Sequence, residues 1–339
     1  MKRIFAAAFS YAAALVGAGF ASGQEIIMFF VRYGKWSIAG IIFSAVMFGV
    51  FAAAVMEVCI NRRTDDYSYF LSGIMPRGIQ KVFAVLSLIF ALSVVCVMSA
   101  CFGETLYMML GIERWIGAAA MSGATAVILL SGRKSALKMN AVIGAVIVIG
   151  VSAFGFYFLG YREHQAFSNF TESVVSAVSY PGYNLLTAGA VLAGLSAFLR
   201  DVKEARMCAI ASAVMMFIMM ALMWLILSIY YNKIDLGEIP MLTMAFRQSR
   251  LCGLVYSVLI SAAVITTAVS NGLCAVEFIK PYIGEKLSVM MVCVIGFAFG
   301  TAGFSRLIDT AYRWCGYAGI IGSIYIVIKS FKFLKNKEK

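Results

Sequence analysis

Charged residues are scarce in this sequence. Only 13% of its 339 residues are Asp, Glu, Lys or Arg and 62% are hydrophobic, whereas soluble domains are about half apolar and a quarter charged. The apolar residues fall in continuous blocks of about 18–30, the length that crosses a hydrocarbon core of ~30 Å. This excludes a soluble globular domain, and the lack of alternating polarity excludes a membrane barrel. We therefore predict an all-α polytopic membrane protein.

Catalytic and metal-binding patterns are missing as well. The chain has one histidine, His164, and no P-loop, HExxH or Ser/His/Asp pattern. Its eight cysteines stand singly, without a CxxC or Cys/His cluster, which argues against a disulfide or metal framework. The net charge of +12 would suggest nucleic acid in a soluble protein, but here the basic residues lie in short loops between apolar blocks. We expect neither an enzyme nor a nucleic-acid-binding protein, and no cofactor.

Membrane-length apolar segments are abundant instead. With the N-terminus inside, every inner loop is basic, as the positive-inside rule requires. We therefore predict a multi-pass protein of the cell membrane with both termini in the cytoplasm, its helices embedded in the lipid bilayer. Residues 1–339 form a single transmembrane domain without a long linker. Its ten predicted spans are 4–31, 36–59, 78–110, 114–131, 136–160, 168–198, 204–231, 250–280, 287–303 and 305–331.

Two of these spans contain helix breakers at matching places. The first span carries LVGAGFASGQEI, Leu15 to Ile26, and the sixth carries AVSYPGYN, Ala177 to Asn184. Proline removes a backbone donor and glycine weakens a helix, so we predict that helices 1 and 6 are broken. Backbone freed in this way cannot face lipid and must line a polar cavity or bind a ligand. Two breaks five spans apart predict a 5+5 inverted repeat, with repeat one at about 4–160 and repeat two at about 168–331, as in secondary transporters.

A cleavable signal peptide is the other interpretation of the first segment. Lys2 and Arg3 precede an apolar stretch that ends in small residues, which is the order found in signal peptides. Cleavage would leave nine spans and would invert the loop-charge pattern of the rest of the chain. The charge pattern therefore favours a first segment that is not cleaved and that forms a broken helix.

The motifs resemble those of a known family. VGAGFASGQE, SYPGYN and the ten-span pattern are similar to the YkvI-like membrane proteins, small bacterial relatives of the amino acid–polyamine–organocation transporters with the LeuT-type fold. The resemblance covers essentially the whole chain and implies that substrate lies between broken spans 1 and 6. It implies secondary active transport of a small solute, an amino acid or a related amine or carboxylate, coupled to Na+ or H+ by alternating access. The alternative is a non-transporting ligand sensor or receptor-complex subunit of the same fold, and the oligomeric state stays open.

The candidate substrate site is drawn from the two interrupted segments. Free amides at the start of a half-helix would face an anionic group such as a substrate carboxylate. Aromatic side chains there would form a gate or bind a cationic group, with ordinary packing as the alternative. The candidates are Gly17, Gly19, Phe20, Ala21, Ser22, Gly23, Gln24, Glu25, Tyr180, Tyr183 and Asn184.

Glu25 is the most deeply placed carboxylate in the predicted spans. A carboxylate inside a membrane points to a functional site by default. Three roles are open for it: carrying a coupling proton, pairing with a cationic substrate, or capping the second half-helix at its positive end. Gln24 is open to interpretation in the same way.

Span 8 contains a candidate ion site. Ala263, Thr266 and Thr267 share one helical face, because they are spaced i, i+3 and i+4. They resemble the sodium site of sodium-coupled members of the fold, where span-8 oxygens meet carbonyls of the unwinding turn of span 1, by position Ala13 and Val16 here. Sodium suits such a site because it is a hard cation that prefers oxygen ligands. The alternative is that these hydroxyls bond to their own helix.

Overall fold

The computed structural model describes residues 2–131, 149–150, 153, 170–231 and 235–337. All regular structure in this part of the chain is helical. Five of its helices are long and apolar enough to cross a membrane, and one shorter apolar helix accompanies them. The predicted all-helical class is confirmed. The ten-span count and the inverted repeat stay predictions, because predicted span 5 (136–160) lies almost entirely outside the described residues.

The helices are numbered in chain order. They are α1 (Lys2–Leu15), α2 (Ala18–Ser22), α3 (Gln24–Phe29), α4 (Ser37–Arg62), α5 (Tyr67–Ile74), α6 (Arg77–Leu110), α7 (Arg114–Leu130), α8 (Phe170–Ser196), α9 (Val202–Tyr230), α10 (Pro240–Gln248), α11 (Arg250–Ile283), α12 (Glu285–Gly300), α13 (Phe304–Leu307) and α14 (Arg313–Lys337). A 3₁₀ segment, Val31–Trp36, joins α3 to α4, and a π-helical turn, Ile308–Tyr312, joins α13 to α14.

The helices pack as a bundle in which partners are distant in the sequence. Extensive contacts join α14 to α8, α11 to α6, and α4 to both α8 and α9. A smaller apolar cluster fills the junction of α6, α7, α11 and α12. Large apolar side chains on the outer faces remain exposed, among them Val127, Ile210, Val258 and Ile321. Such a surface is expected of a bundle surrounded by lipid, which is as apolar as these side chains.

The predicted break in the first span is present. Helix α1 ends at Leu15, and Gly17 has an extended backbone before the single turn of α2 begins. Gly23 then adopts φ +81° between α2 and α3, a conformation that glycine reaches without steric cost. The first span is therefore three helical pieces at two glycine joints.

The predicted break in the sixth span is wrong, because α8 continues through Pro181. Proline removes only the N–H that would have bonded to the carbonyl of Ala177. In the structure the hydroxyl of Ser44, on α4, donates to that carbonyl at 3.4 Å and to Gly40 O at 2.8 Å. The single proton of this hydroxyl is shared between the two carbonyls, so a neighbouring helix replaces the lost hydrogen bond in part, as happens in other membrane helices that contain proline.

Gly182 follows Pro181 in the expected break, and close packing explains why a glycine is present there. A Cβ atom at Gly182 would collide with the carbonyl of Gly316 on α14, and one at Gly316 would collide with the backbone and hydroxyl of Ser179. A Cβ at Gly319 would likewise meet the carbonyl of Gly182. Small residues at a membrane helix interface let two backbones approach closely. These glycines therefore hold α8 against α14.

A second irregularity lies in the last predicted span. The sequence indicates a uniform helix over 305–331, whereas the structure has Gly303 at φ +96°, then α13, and then the π-helical turn. Such turns inside helices occur frequently at functional sites. This one ends at Tyr312, which is buried inside the bundle.

Gly182→Ala should destabilise the protein, because the added methyl meets backbone that cannot move without separating α8 from α14. We expect a loss of about 1–3 kcal/mol, the usual effect of overpacking, measured as a lower midpoint of thermal unfolding in detergent. Gly194→Ala, on the same helix, is the matched control because nothing lies within 4 Å of its added Cβ. Equal stability of the two variants would show that Gly182 is not a packing contact.

Candidate functional site

The break between α1 and α2 in the first span is stabilised by a hydrogen bond to α11. The N–H of Gly17 donates to Leu15 O at 3.1 Å, and the N–H of Ala18 donates to the hydroxyl of Thr267 at 3.2 Å. In a continuous helix these two donors would serve the carbonyls of Ala13 and residue 14. The break therefore releases the Ala13 carbonyl from its usual donor and attaches the start of α2 to α11.

The far end of α2 is held in the same way. The hydroxyl of Tyr256, on α11, donates to Ala21 O at 2.6 Å. The hydroxyl of Ser22 donates to Gly19 O at 2.7 Å and accepts the N–H of Gln24 at 3.1 Å. Both ends of the single turn are thus satisfied by hydrogen bonds, as a polar segment inside an apolar bundle requires.

Gln24 belongs to a link across one end of the bundle. Its side-chain amide donates to the hydroxyl of Ser305 at 2.8 Å, and the N–H of Ser305 donates to the carboxylate of Glu238 at 2.6 Å. These three residues connect α3, α13 and the segment before α10. A cavity of about 380 Å³ lies beside this link, with Gln24, Ile27 and Arg32 in its wall. We call the link formed by Gln24, Ser305 and Glu238 the closure.

Glu25 lies on the inner side of this closure. Its side chain is buried, with 4% of the residue exposed, and its carboxylate lies against Gly19, where an added Cβ would collide with it. The hydroxyl groups of Tyr180, Tyr183 and Tyr312 lie near this carboxylate. Glu25 therefore faces three tyrosines from α8 and the π-helical turn.

Aromatic rings enclose the same place. The Tyr183 ring centroid is 5.6 Å from that of Tyr180, 4.8 Å from Tyr312, and 5.5 Å from both Phe29 and Phe90. These separations are typical of interacting aromatic pairs. We call Glu25 and these five rings the Glu25–tyrosine cluster. It joins α3, α6, α8 and the π-helical turn.

Only part of this cluster is predictable from the sequence. Glu25, Tyr180 and Tyr183 are among the sequence-predicted site residues and come together here. Phe29, Phe90 and Tyr312 were missed, because single aromatic residues in apolar spans are indistinguishable from packing residues. The π-helical turn that places Tyr312 leaves no recognisable pattern in DTAYRW, residues 309–314.

The polar atoms of the cluster are incompletely satisfied. The Tyr180 and Tyr183 hydroxyls are buried and make no hydrogen bond of acceptable geometry with any described residue. Buried polar side-chain atoms in native proteins usually have a partner. The cluster is therefore a polar site enclosed by apolar side chains, with acceptor atoms that a ligand would satisfy.

Other acidic residues of the bundle are paired. The carboxylate of Glu57, buried on α4, receives two hydrogen bonds from one guanidinium of α9, at 2.7 and 2.9 Å. Glu104, Glu277 and Asp309 also form ion pairs. No ion pair within the described ranges involves Glu25. The basic partners of the four paired carboxylates, in the order in which these are named above, are Arg206, Arg114, Lys280 and Arg313.

The remaining predicted residues are distributed around the joint. Phe20 is fully buried in α2, and Val16 is buried beside the break. The Asn184 amide donates to Tyr180 O at 3.1 Å, within its own helix. The methyl of an alanine at Gly23 would lie 3.0 Å from Leu227, so this joint packs against α9.

The candidate ion ligands divide into two groups. Thr267 reaches the broken span, where its side chain contacts Ala18 and would lie 3.4 Å from a Cβ at Gly17. The Thr266 hydroxyl instead donates within α11, at 2.9 Å to Ala263 O. The structure thus brings Thr267 to the unwound turn and turns the Thr266 hydroxyl toward its own helix.

The fold is found in solved structures of membrane transporters. MhsT in complex with L-phenylalanine matches 95% of this chain and 87% of its own, with a TM-score of 0.69 and 13% identity. An Eremococcus coleocola manganese transporter matches 96% and 85%, with a TM-score of 0.64 and 12% identity. A Na+-coupled sialic acid symporter matches 90% and 72%, with a TM-score of 0.57 and 12% identity. At these identities the likeness establishes the fold, which is that of the LeuT-type transporters.

Two proteins of Bacillus subtilis (strain 168) are similar in sequence. The "Uncharacterized membrane protein YkvI" is 29% identical over 325 residues, which is 92% of each chain. The "Uncharacterized protein YyaD" is 24% identical over 310 residues, which is 88% of each chain. No family model matches the chain. The predicted resemblance to the YkvI-like membrane proteins is confirmed, and with the helical fold it identifies a multi-pass membrane protein.

The contact between Gly19 and Glu25 can be tested by a double-mutant cycle. Gly19→Ala should lower stability by about 1–3 kcal/mol, because the added methyl displaces the Glu25 carboxylate. In a Glu25→Ala background the same change should cost little, which gives a coupling of about 0.5–3 kcal/mol in thermal unfolding.

Gly17→Ala is the control for this cycle. Its added Cβ would lie 3.4 Å from Thr267, an ordinary contact, and its φ of −83° suits alanine. It should not couple to Glu25. Strictly additive effects of Gly19→Ala and Glu25→Ala would contradict the contact.

Proposed function

We propose that this chain is a secondary active transporter that moves a small organic solute across the cell membrane by alternating access. The observation that carries this proposal is the Glu25–tyrosine cluster, a buried polar site at a broken helix inside an apolar bundle. Broken helices with a midplane site are the usual construction of secondary transporters. The solved proteins that share the fold are transporters and not enzymes, which supports the same conclusion.

The solute we propose is an amino acid or a related amine or carboxylate. The solved proteins that share the fold differ in their ligands: one is in complex with L-phenylalanine, one is a manganese transporter and one is a sialic acid symporter. A metal ion is disfavoured, because no group of three or more His, Cys, Asp or Glu side chains suitable for a metal occurs among the described residues. Aromatic rings around a carboxylate instead suit an organic solute with a polar group.

For coupling we propose sodium, held between the unwound turn of the first span and α11. The Ala13 carbonyl has lost its helical donor and Thr267 reaches the same turn. We propose that Val16 and Ala263 add carbonyl oxygens, which a hard cation prefers, and that Thr266 joins them only if its hydroxyl turns away from Ala263 O. A proton carried by Glu25 is the alternative coupling ion, since a carboxylate inside a membrane is a common proton relay.

A ligand sensor with the same fold is the second candidate function. The closure formed by Gln24, Ser305 and Glu238 suits a protein that traps its ligand, whether or not it releases that ligand on the other side. Accumulation against a gradient separates the two functions, because only a transporter can concentrate a solute.

The purified chain in proteoliposomes should accumulate a labelled solute when an inward sodium gradient or proton gradient is imposed. Candidate solutes are first selected by the thermal shift they cause, since binding to the native state stabilises it by mass action. Accumulation should disappear when ionophores collapse both gradients. Tight binding without accumulation under either gradient would contradict transport and favour the sensor.

Thr267→Ala should abolish sodium activation of uptake, because it removes the hydroxyl that α11 presents to the unwound turn. Thr267→Ser retains that hydroxyl and should keep sodium activation. Initial uptake rates are compared over a range of sodium concentrations, with potassium as the replacement ion. The double variant Thr266→Ala with Thr267→Ala should be as insensitive to sodium as Thr267→Ala. Unchanged sodium activation in Thr267→Ala would contradict the site.

A further inference from the structure

We propose that the Glu25–tyrosine cluster binds the protonated amine of the solute, and that the preferred solute is a small organic amine without a carboxylate. This inference rests on the proposed function and names its substrate class. It differs from the expectation that free amides of the broken span bind a solute carboxylate. Four features of the cluster support it.

The first feature is an uncompensated carboxylate. Glu25 is buried, yet no ion pair in the described part of the chain involves it, whereas Glu57, equally buried, is paired with Arg206. A carboxylate in an apolar interior is costly unless it is paired and hydrogen-bonded. A cationic ligand would provide the missing charge.

The second feature is the number of acceptors. An ammonium group carries three N–H donors and no acceptor. The Glu25 carboxylate and the unsatisfied hydroxyls of Tyr180 and Tyr183 are three separate groups that accept hydrogen bonds. They come from two helices, α3 and α8, and converge on one place. The cluster therefore offers at least one acceptor for each donor of the ligand.

The third feature is the aromatic enclosure. Five rings pack against one another, and three of them belong to the tyrosines that lie near the carboxylate. The faces of aromatic rings attract cations, and desolvation strengthens this attraction. The same rings exclude water and offer apolar contact to the hydrocarbon part of an amine.

The fourth feature is the position of Glu25 relative to α2. Its carboxylate lies against Gly19, in the first turn of α2. That turn is where a solute carboxylate was expected to meet free amides. A second negative group placed there would be repelled by Glu25. The chain's own carboxylate therefore takes the position that a solute carboxylate would need.

The test uses the full chain in detergent and two series of small probes. One series is phenethylamine, phenylalanine and 3-phenylpropanoate, and the other is isopentylamine, leucine and 4-methylpentanoate. Within each series the hydrocarbon part is the same, while the charged group is an amine, an amine with a carboxylate, or a carboxylate. We expect at least one amine to raise the midpoint of thermal unfolding by more than its amino acid does, and we expect no shift with either carboxylate.

Variants then assign this binding to the cluster. Glu25→Gln should weaken the affinity for the amine at least about tenfold, because it removes the charge that the ligand pairs with. Tyr183→Phe keeps the ring but removes an acceptor, and should weaken the affinity by a smaller factor. Glu104→Gln, at a buried carboxylate that pairs with Arg114, is the control and should leave amine affinity unchanged. Unfolding midpoints without ligand show whether each variant is folded.

Several results would overturn the proposal. One is a larger shift with an amino acid or a carboxylate than with the matching amine, and another is unchanged amine affinity in folded Glu25→Gln and Tyr183→Phe. Accumulation of a labelled solute by a protein that binds neither amine would leave the transport function in place and overturn the amine site. Amine binding without accumulation would support the site and contradict transport.

Discussion

The structure depends on two hydrogen bonds from α11 to the broken first span. Thr267 accepts the N–H of Ala18, and Tyr256 donates to Ala21 O. Within an apolar bundle a helix can be interrupted only if its free donors and acceptors find new partners. Gly19 and Glu25 are six residues apart, which in a straight helix would separate them by about 9 Å along the axis. The joint at Gly23, kept in place by these bonds, brings the carboxylate back against α2.

The same short helix carries both the closure and the candidate site. Gln24 bonds to Ser305, and Glu25, the next residue, faces Tyr180 and Tyr183. Helix α3 has only six residues and lies between Gly23 and the 3₁₀ segment. A displacement of α3 that separates Gln24 from Ser305 therefore also displaces the Glu25 carboxylate. Any opening of this closure is therefore expected to change the candidate site as well.

Much of the first span could be predicted from the sequence, and less of the sixth. Three glycines and a carboxylate in an apolar segment are a local signal, and both the break and the burial of Glu25 are present. Pro181 gives an equally strong local signal, but α8 continues through it, and the carbonyl that it leaves without a donor lies beside Ser44, a residue of another helix. The role of Gly182 is likewise determined by its close contact with Gly316 on another helix. Such contacts between helices leave no pattern in a single sequence, and for the same reason Tyr312 was missed.

The cluster is built from one continuous helix and one segmented helix. Helix α8 is continuous and is held against α14 by close backbone contacts at Gly182 and Gly316, so Tyr180 and Tyr183 stand on a rigid support. Glu25 stands on α3, which is bounded by a glycine at positive φ. The acceptor that carries the charge is therefore on a short segment that follows a glycine joint, together with Phe29, whereas Tyr180 and Tyr183 are on a continuous helix.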